Sequence, residues 1–342
     1  MRVEGHLRFS NTFACRSPAQ SGRRHPAKKR GLARILVTGA AGFIGRSLCA
    51  RLVACRHTVT GVTRGLAAPI PGAELRSIGD IGPTTDWSKH LDDDEIVIHL
   101  ANRAHSRVSS GAGMDEPGAA AALARAAAEG GVRRLLYMSS IRAMRDVTPP
   151  GSPLRSDDPM LPRDSYGRQK LAIERALQAA ARGTGLELVI LRPPLVYGPG
   201  VRGNFRLLIQ LVASGLPLPF AGIDNRRSLI FIENLVDLVA HASVHPGAIG
   251  RVLLARDAVD LSTPEMIRLL AVGLDRRPRL FTVPPIIFAP FHGLPLLGPL
   301  IVRLTNSLQV DDSWTRTALD WHPPISPETA LVATAQDFRE RS

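Results

Sequence analysis

Cysteine, lysine and tyrosine are all scarce in this sequence of 342 residues. The three cysteines, Cys15, Cys49 and Cys55, are too few and too scattered for a disulfide framework or a cysteine-based zinc site. The ten histidines form no HxH or HExxH pattern, so the sequence predicts no metal site. Low cysteine use is typical of a reducing compartment, and we therefore expect a cytoplasmic protein.

Acidic residues are almost absent from the first 34 residues, where most of the net charge of +13 lies. Nine of these residues are Lys or Arg and one, Glu4, is acidic, so this region carries +8 and the remaining 308 residues carry +5. Because the region lacks apolar periodicity, we interpret residues 1–33 as a disordered basic extension. A transit peptide or an anchor on an anionic surface is the alternative. The nearly balanced remainder predicts no nucleic-acid partner.

A glycine motif follows the first apolar segment of the chain. Residues 34–38 form an apolar run without alternation, which is typical of a strand buried on both faces. Gly39, Gly42 and Gly45 come next and open an amphipathic helix. Such a turn places backbone N–H groups and a helix N-terminus where a pyrophosphate can bind. The motif therefore predicts a dinucleotide site.

Strand-like and helical patterns alternate after this motif. Further strands are predicted at residues 57–62, 95–101, 133–139 and 186–191, and helices at residues 119–129, 164–182 and 262–272. The alternation predicts an α/β fold with a Rossmann-type, doubly wound parallel sheet. We assign residues 34–192 to the NAD(P)-binding domain. Residues 193–342, which are richer in proline, are assigned mostly to a smaller substrate-binding cap that interleaves with the core.

No acidic residue ends the second predicted strand, where NAD-preferring folds place one to bind the ribose 2′-hydroxyl. The sequence there ends in Thr63-Arg64, and an arginine in this position accommodates the 2′-phosphate of NADP. The sequence thus predicts NAD(P) as the cofactor and favours NADP. A solvated Arg64 with no cofactor contact is the alternative.

One of only four lysines, Lys170, stands four residues after one of only three tyrosines, Tyr166. On a helix these two side chains share a face. A cation beside a phenol favours the phenolate and lowers the pKa of the phenol, which suits Tyr166 to proton exchange near neutral pH. The alternative is a solvated helical pair without a function.

Four motifs occur in a characteristic order, namely TGAAGFIG at 38–45, HLA at 99–101, MSS at 138–140 and YGRQK at 166–170. In these motifs the chain resembles the extended short-chain dehydrogenases/reductases, the NAD(P)-dependent nucleotide-sugar epimerases and dehydratases. The likeness covers about residues 34–335. Within the family, the segments 191–205, 225–238 and 308–324 look most like a UDP-glucose 4-epimerase-like branch of bacterial surface polysaccharide synthesis. The resemblance implies a 4-epimerase or a 4-keto reductase that acts at C4 of a UDP-hexose or UDP-N-acetylhexosamine.

The resemblance also implies roles for individual residues. Tyr166 is the acid/base at the C4 oxygen, Lys170 binds the nicotinamide ribose, and Ser140, favoured over Ser139, donates a hydrogen bond to the C4 oxygen. The predicted cofactor-binding residues are Gly39, Gly42, Phe43, Ile44, Gly45, Arg64, Asp80, Ile81, Leu100, Ala101, Tyr166, Lys170 and Pro193. The predicted substrate-binding residues are Ser140, Asn204, Phe205, Arg226 and Arg227. Asp80 is expected at the adenine unless it is an ordinary turn residue. Either adjacent arginine suits a phosphate, and the other then faces solvent.

Two departures from the family pattern keep other interpretations open. Asp115 stands where relatives have asparagine, after a shortened stretch, and Arg142-Ala143-Met144-Arg145 replaces the usual segment after the serine. A non-catalytic, NADP-binding or redox-sensing protein is therefore an alternative.

Residues 282–302 are apolar and uncharged, which raises a second alternative, the same chemistry on a lipid-linked sugar diphosphate. Their five prolines argue against a spanning helix and favour packing within the cap over membrane contact. The family resemblance is also compatible with a homodimer.

Overall fold

The computed structural model describes residues 32–102, 115–284, 286–288, 290 and 298–342. Its strands are β1 (Arg34–Thr38), β2 (Thr58–Thr63), β3 (Ala73–Ser77), β4 (Ile96–His99), β5 (Arg134–Met138), β6 (Glu187–Arg192), β7 (Leu195–Tyr197), β8 (Leu229–Phe231) and β9 (Val252–Leu254). Seven of them form one parallel sheet in the order β3-β2-β1-β4-β5-β6-β9, and β7 pairs with β8. The predicted α/β fold with a doubly wound parallel sheet is confirmed.

Helices cover both faces of this sheet. They are α1 (Phe43–Ala54), α2 (Glu116–Glu129), α3 (Ser165–Ala181), α4 (Gly203–Ala213), α5 (Ile232–Val244), α6 (Thr263–Gly273), α7 (Gly298–Thr305), α8 (Ser313–Leu319) and α9 (Pro327–Arg341). Helix α1 packs against α5, and α2 packs against α3. Helix α6 begins at the predicted capping box, in which Ser262 and Glu265 bond each other's main-chain N–H groups.

The inner strands β1, β4 and β5 are almost wholly buried because each of their faces meets a helix layer. In β1, Ile35 and Val37 belong to the same core cluster as Leu48 of α1. Between them, Leu36 points to the opposite face and packs in a second cluster with Leu123 of α2. Successive side chains of a strand therefore serve two separate cores, which explains the absence of alternation in the sequence.

Residues beyond 193 also contribute to the sheet. Strand β9 lies beyond residue 193 but completes the sheet by pairing with β6. In the apolar segment, Phe288 is buried and its ring stacks on Phe220 at a centroid distance of 5.5 Å, while Ile286 and Ile287 are exposed. Within the described residues, no helix combines the length and the apolar composition needed to cross a membrane.

Candidate active site

Parallel register brings the carboxyl ends of β1, β4 and β5 to one edge of the sheet. Thr38 pairs with His99, and His99 pairs with Tyr137. The predicted cofactor residues Leu100 and Ala101 follow β4 directly, beside the glycine turn that follows β1. Ligands of open α/β sheets bind outside this edge.

The glycine turn leaves room that larger residues would fill. Gly39 has a φ of +73°, and a Cβ there would lie 2.9 Å from the backbone N of Ala101. A Cβ on Gly45 would lie 2.2 Å from the carbonyl oxygen of Gly39, so only glycine lets α1 pack this closely on the turn. Gly42 is the N-cap of α1, and it supplies no side chain to the first N–H groups.

The N-terminus of α1 fits an anionic ligand. Its first turn, which begins with the predicted residues Phe43 and Ile44, contains no acidic side chain. Backbone N–H groups and the positive end of the helix dipole therefore face the turn without a side-chain competitor. This geometry suits the pyrophosphate of a dinucleotide.

Thr38 and His99 form a buried hydrogen-bonded pair next to the predicted cofactor residue Ala101. Thr38 Oγ1 lies 2.7 Å from His99 Nδ1 and accepts a hydrogen bond of 3.2 Å from the backbone N–H of Ala101. Burial, together with the charge of Lys170, lowers the pKa of His99 to about 3, so the imidazole is neutral. We assign His99 a structural role, since its ring also stacks on Tyr137.

Lys170 is buried beneath the site. Its Nζ donates hydrogen bonds to the hydroxyl of Tyr137 (3.1 Å) and to the carbonyl oxygen of Met138 (2.9 Å). Burial lowers the pKa of Lys170 to about 8, against the opposing charges of Glu116 and Glu174. Tyr137 was not predicted as a site residue, although a scarce tyrosine directly before the MSS motif was a usable signal.

Tyr166 and Lys170 lie on one side of α3, as their spacing predicted. The Lys170 ammonium lies 6.0 Å from the Tyr166 ring centroid. Burial raises the pKa of Tyr166, and the opposing influences are a hydrogen bond with Ser140 and the charge of Arg142. The predicted lowering of this pKa by Lys170 is therefore wrong for this structure, because burial outweighs the nearby charges.

The structure distinguishes the two adjacent serines after β5. Ser140 is the serine whose side chain lowers the pKa of Tyr166, and its Oγ accepts a hydrogen bond of 3.2 Å from the backbone N–H of Arg142. Ser139 instead donates to the buried carboxylate of Glu174, which pairs with Arg192. Ser140 is thus the serine that faces the tyrosine.

Two further hydrogen bonds fix the main chain at this edge. The carbonyl of Pro193 accepts a hydrogen bond of 2.9 Å from the N–H of Ile141, which fixes the turn after Ser140 to the end of β6. Asp115 caps α2, since its carboxylate accepts a hydrogen bond of 2.8 Å from the N–H of Gly118. The departure from asparagine at this position therefore preserves the helix start. The shortened stretch before it lies largely outside the described residues.

The residues predicted to contact the adenosine half of the cofactor contact each other. Arg64 Nε lies 3.2 Å from Asp80 Oδ1, and both side chains are about half exposed. Ile81 is partly buried against the second core cluster. Arg64 is thus present at the predicted place, but its charge is partly balanced by Asp80.

The structure also separates the predicted substrate-binding residues. Arg227 is buried and donates a hydrogen bond of 2.9 Å to the carbonyl of Asn306, and burial lowers its pKa to about 10. Arg226 lies outward and pairs with Glu265. Of the two arginines, therefore, Arg227 is the inward-facing one.

Helix α4 starts with the other two predicted substrate residues. Asn204 is partly exposed in its first turn. The Phe205 side chain is buried and packs on Tyr197 at a ring distance of 5.5 Å. A side-chain contact between Phe205 and substrate is therefore not supported, and only its main chain remains available at the helix start. No group of three or more metal-ligating side chains occurs in the part of the chain that the structure describes.

Comparison with known proteins identifies the family. Residues 35–253 match the NAD dependent epimerase/dehydratase family. The chain is 38% identical over 315 residues to UDP-glucose 4-epimerase of Vibrio cholerae, covering 89% of this chain and 95% of that protein.

Solved structures share the fold. UDP-N-acetylglucosamine 4-epimerase from Bacillus cereus superposes with a TM-score of 0.71 at 21% identity, covering 90% of this chain and 99% of that one. UDP-glucuronic acid 4-epimerase from the same organism, in complex with NAD, gives a TM-score of 0.70 at 22% identity with the same coverage. Together with the family match, these findings show that the chain belongs to the NAD-dependent epimerase/dehydratase family.

Proposed function

We propose that this protein is a UDP-sugar 4-epimerase. The observation that carries the proposal is the convergence of Ser140, Tyr166 and Lys170 at the carboxyl edge of the sheet, beside the glycine turn. The relative from Vibrio cholerae, which aligns over most of both chains, bears the name of this activity. The resemblance to surface-polysaccharide enzymes favours that pathway as its setting.

The glycine turn and the N-terminus of α1 fit NAD, because a side chain at Gly39 or Gly45 would occupy the space next to the turn. When bound, the nicotinamide supplies the acceptor and the donor of the hydride exchanged with C4. We assign the binding of the nicotinamide ribose to Lys170, and its hydrogen bonds to Tyr137 and Met138 at the end of β5 support this role.

Proton exchange at the C4 oxygen is the task of Tyr166. In its phenolate form, which burial disfavours and the charge of Arg142 favours, the Tyr166 oxygen takes the hydroxyl proton as C4 is oxidised and returns that proton as C4 is reduced on the other face. Ser140, whose Oγ is oriented by the N–H of Arg142, donates a hydrogen bond to the same oxygen. The buried cation of Arg227 is suited to the diphosphate of the substrate.

The test is turnover without added cofactor. The purified protein is incubated with UDP-glucose or UDP-N-acetylglucosamine, and formation of the C4 epimer is followed by proton NMR. We expect epimer to form without net consumption of NAD. Oxidation of added NADPH only in the presence of a 4-keto sugar would instead identify a reductase. Cofactor binding without any turnover would support the non-catalytic alternative.

Matched serine variants test the site itself. Ser140→Ala is expected to lower kcat by about 10²-fold, since it removes a hydrogen bond to the reacting oxygen. Ser139→Ala is the control, because it removes only the buried bond to Glu174 and should reduce stability more than kcat. Tyr166→Phe is expected to abolish turnover. Epimerisation that survives Tyr166→Phe contradicts this mechanism.

The preference for NADP remains part of the proposal and depends on Arg64. The position of Arg64 after β2 and the exposure of its side chain support the preference for NADP, whereas the ion pair with Asp80 weakens that preference. Equilibrium binding of NAD and NADP to the cofactor-depleted protein and to Arg64→Ala decides the matter. Tighter NADP binding that is lost in the variant supports the preference, and tighter NAD binding in the unmodified protein contradicts it.

A lipid-linked substrate is the second candidate. It is favoured by Ile286 and Ile287, which are 79% and 47% exposed on a turn that Phe288 anchors to the core. Sedimentation with phosphatidylglycerol vesicles, compared with Ile286→Ser, tests membrane contact. Protein that stays in the supernatant excludes this candidate at such membranes.

A further inference from the structure

Arg142 contacts both polar groups that face the proposed reaction. Its backbone N–H donates to Ser140 Oγ at 3.2 Å, and its guanidinium carbon lies 5.1 Å from the ring centroid of Tyr166. Its carbonyl packs on α3 at Gly167, where a Cβ would lie 2.2 Å from the carbonyl oxygen. The turn bearing Ser140 and the helix bearing Tyr166 therefore meet at this arginine.

Asp164 holds the guanidinium in this place. Its Oδ1 accepts a hydrogen bond of 2.7 Å from the N–H of Gly167 and so caps α3, and its Oδ2 pairs with Arg142. The Arg142 and Asp164 side chains are only 31% and 30% exposed. At that burial, solvent screens the charges incompletely, so both charges influence the Tyr166 phenol.

The charges around Tyr166 come from four parts of the fold. Arg142 follows β5, Asp164 caps α3, and Lys170 lies within α3. Glu116 begins α2, and Arg303 of α7 lies near Arg142 and Asp164. Lys170 uses two hydrogen bonds on Tyr137 and Met138. Arg142 is the cation whose charge opposes the effect of burial on the pKa of Tyr166.

We propose that Arg142 is a positioning residue of this site. Its guanidinium stabilises the phenolate form of Tyr166, and its main chain holds the Ser140 hydroxyl toward the same reacting oxygen. The role in catalysis rests on the proposed epimerase function. The effect on Tyr166 ionisation does not, because it is measurable without turnover.

The experiment is a titration of tyrosinate by ultraviolet absorbance. Subtracting the matching Tyr166→Phe protein isolates the signal of Tyr166 from those of Tyr137 and Tyr197, whose pKa values burial raises well above the ordinary value. Arg142→Gln is expected to raise the pKa of Tyr166 by about one unit. Asp164→Asn keeps a capping side chain but removes the negative charge, so it is expected to lower that pKa.

Shifts of opposite sign distinguish an electrostatic role from loosened packing, which would move both variants in the same direction. An unchanged titration in Arg142→Gln, or equal shifts in both variants, overturns the proposal. If Arg142→Gln fails to fold, Arg142→Lys and Asp164→Asn provide the test, and Arg142→Lys should keep most of the shift. If the protein turns over its substrate but neither variant changes the pKa of Tyr166, the inference about Arg142 is wrong and the epimerase function stands. If the two variants shift the pKa of Tyr166 in opposite directions but the protein shows no turnover, the epimerase function is wrong and the inference about Arg142 stands.

Discussion

The buried ion pair between Glu174 and Arg192 offers a strong test of how the active-site edge is held together. The two side chains are 1% and 6% exposed and share hydrogen bonds of 3.0 and 2.6 Å, and the carboxylate also accepts from Ser139. Glu174→Met leaves the guanidinium buried without its partner. Breaking a buried pair in this way costs about 3–5 kcal/mol. That is a large part of a total stability of roughly 5–15 kcal/mol.

The double variant Glu174→Met/Arg192→Met removes both charges and fills the space with flexible apolar side chains. It is expected to cost less than Glu174→Met alone, since replacing a buried pair by apolar residues is often close to neutral. The remaining loss is about 1–3 kcal/mol for the Ser139 hydroxyl, which keeps no partner.

Urea unfolding followed by circular dichroism, and by the fluorescence of buried Trp87 and Trp321, measures these free energies and checks for a two-state transition. Arg341→Met is the control, because its exposed pair with Asp337 should contribute less than about 1 kcal/mol. The reasoning fails if Glu174→Met costs no more than this control. It also fails if the loss of unfolding free energy in the double variant equals the sum of the losses in Glu174→Met and Arg192→Met.

Three further predictions concern separate parts of the molecule. Gly45→Ala should weaken cofactor binding at least tenfold, because the new Cβ would meet the Gly39 carbonyl. Gly65→Ala is the control and should bind normally, since its Cβ meets nothing within 4 Å. Equilibrium titration with NAD compares the two variants. Burial raises the pKa of Asp94 from 3.8 to about 6. Its contribution to stability is therefore fully present below pH 3.8, where the carboxyl group is protonated, and is lost as the pH rises through 6. Asp94→Asn should therefore stabilise the protein in urea at pH 7 and not at pH 3.5, and equal effects at both would contradict this. Burial raises the pKa of Cys49 to about 12, so its thiol should resist a disulfide reagent at pH 8 until urea unfolds the protein; mass spectrometry locates the label.

Much of the fold was predictable because its signals are local. The apolar run of β1, the glycines after it and the helix that follows are contiguous, and the structure places β1 at the predicted residues 34–38. The capping box that starts α6 lies within four residues. The three-residue strands β7, β8 and β9 were missed, since so few residues show no periodicity. Strand β3 was missed as well.

For the site, the sequence by itself determined which chemical groups are available and which of them share an element. Tyr166 and Lys170 lie on one side of α3 because of their spacing, and Ser140 follows a buried strand. Only the tertiary structure decided how these groups are partnered. It directed Ser139 to Glu174, turned Arg227 inward and Arg226 outward, and brought Arg142 over the Tyr166 ring.

The same distinction explains the pKa of Tyr166. The helical spacing correctly predicted that Lys170 lies near the Tyr166 phenol, but it carries no information on how deeply the two side chains are buried. Burial penalises the phenolate and raises the pKa, and the extent of burial depends on contacts between elements that are distant in sequence. Local sequence thus determined the reacting groups, whereas packing decided their ionisation.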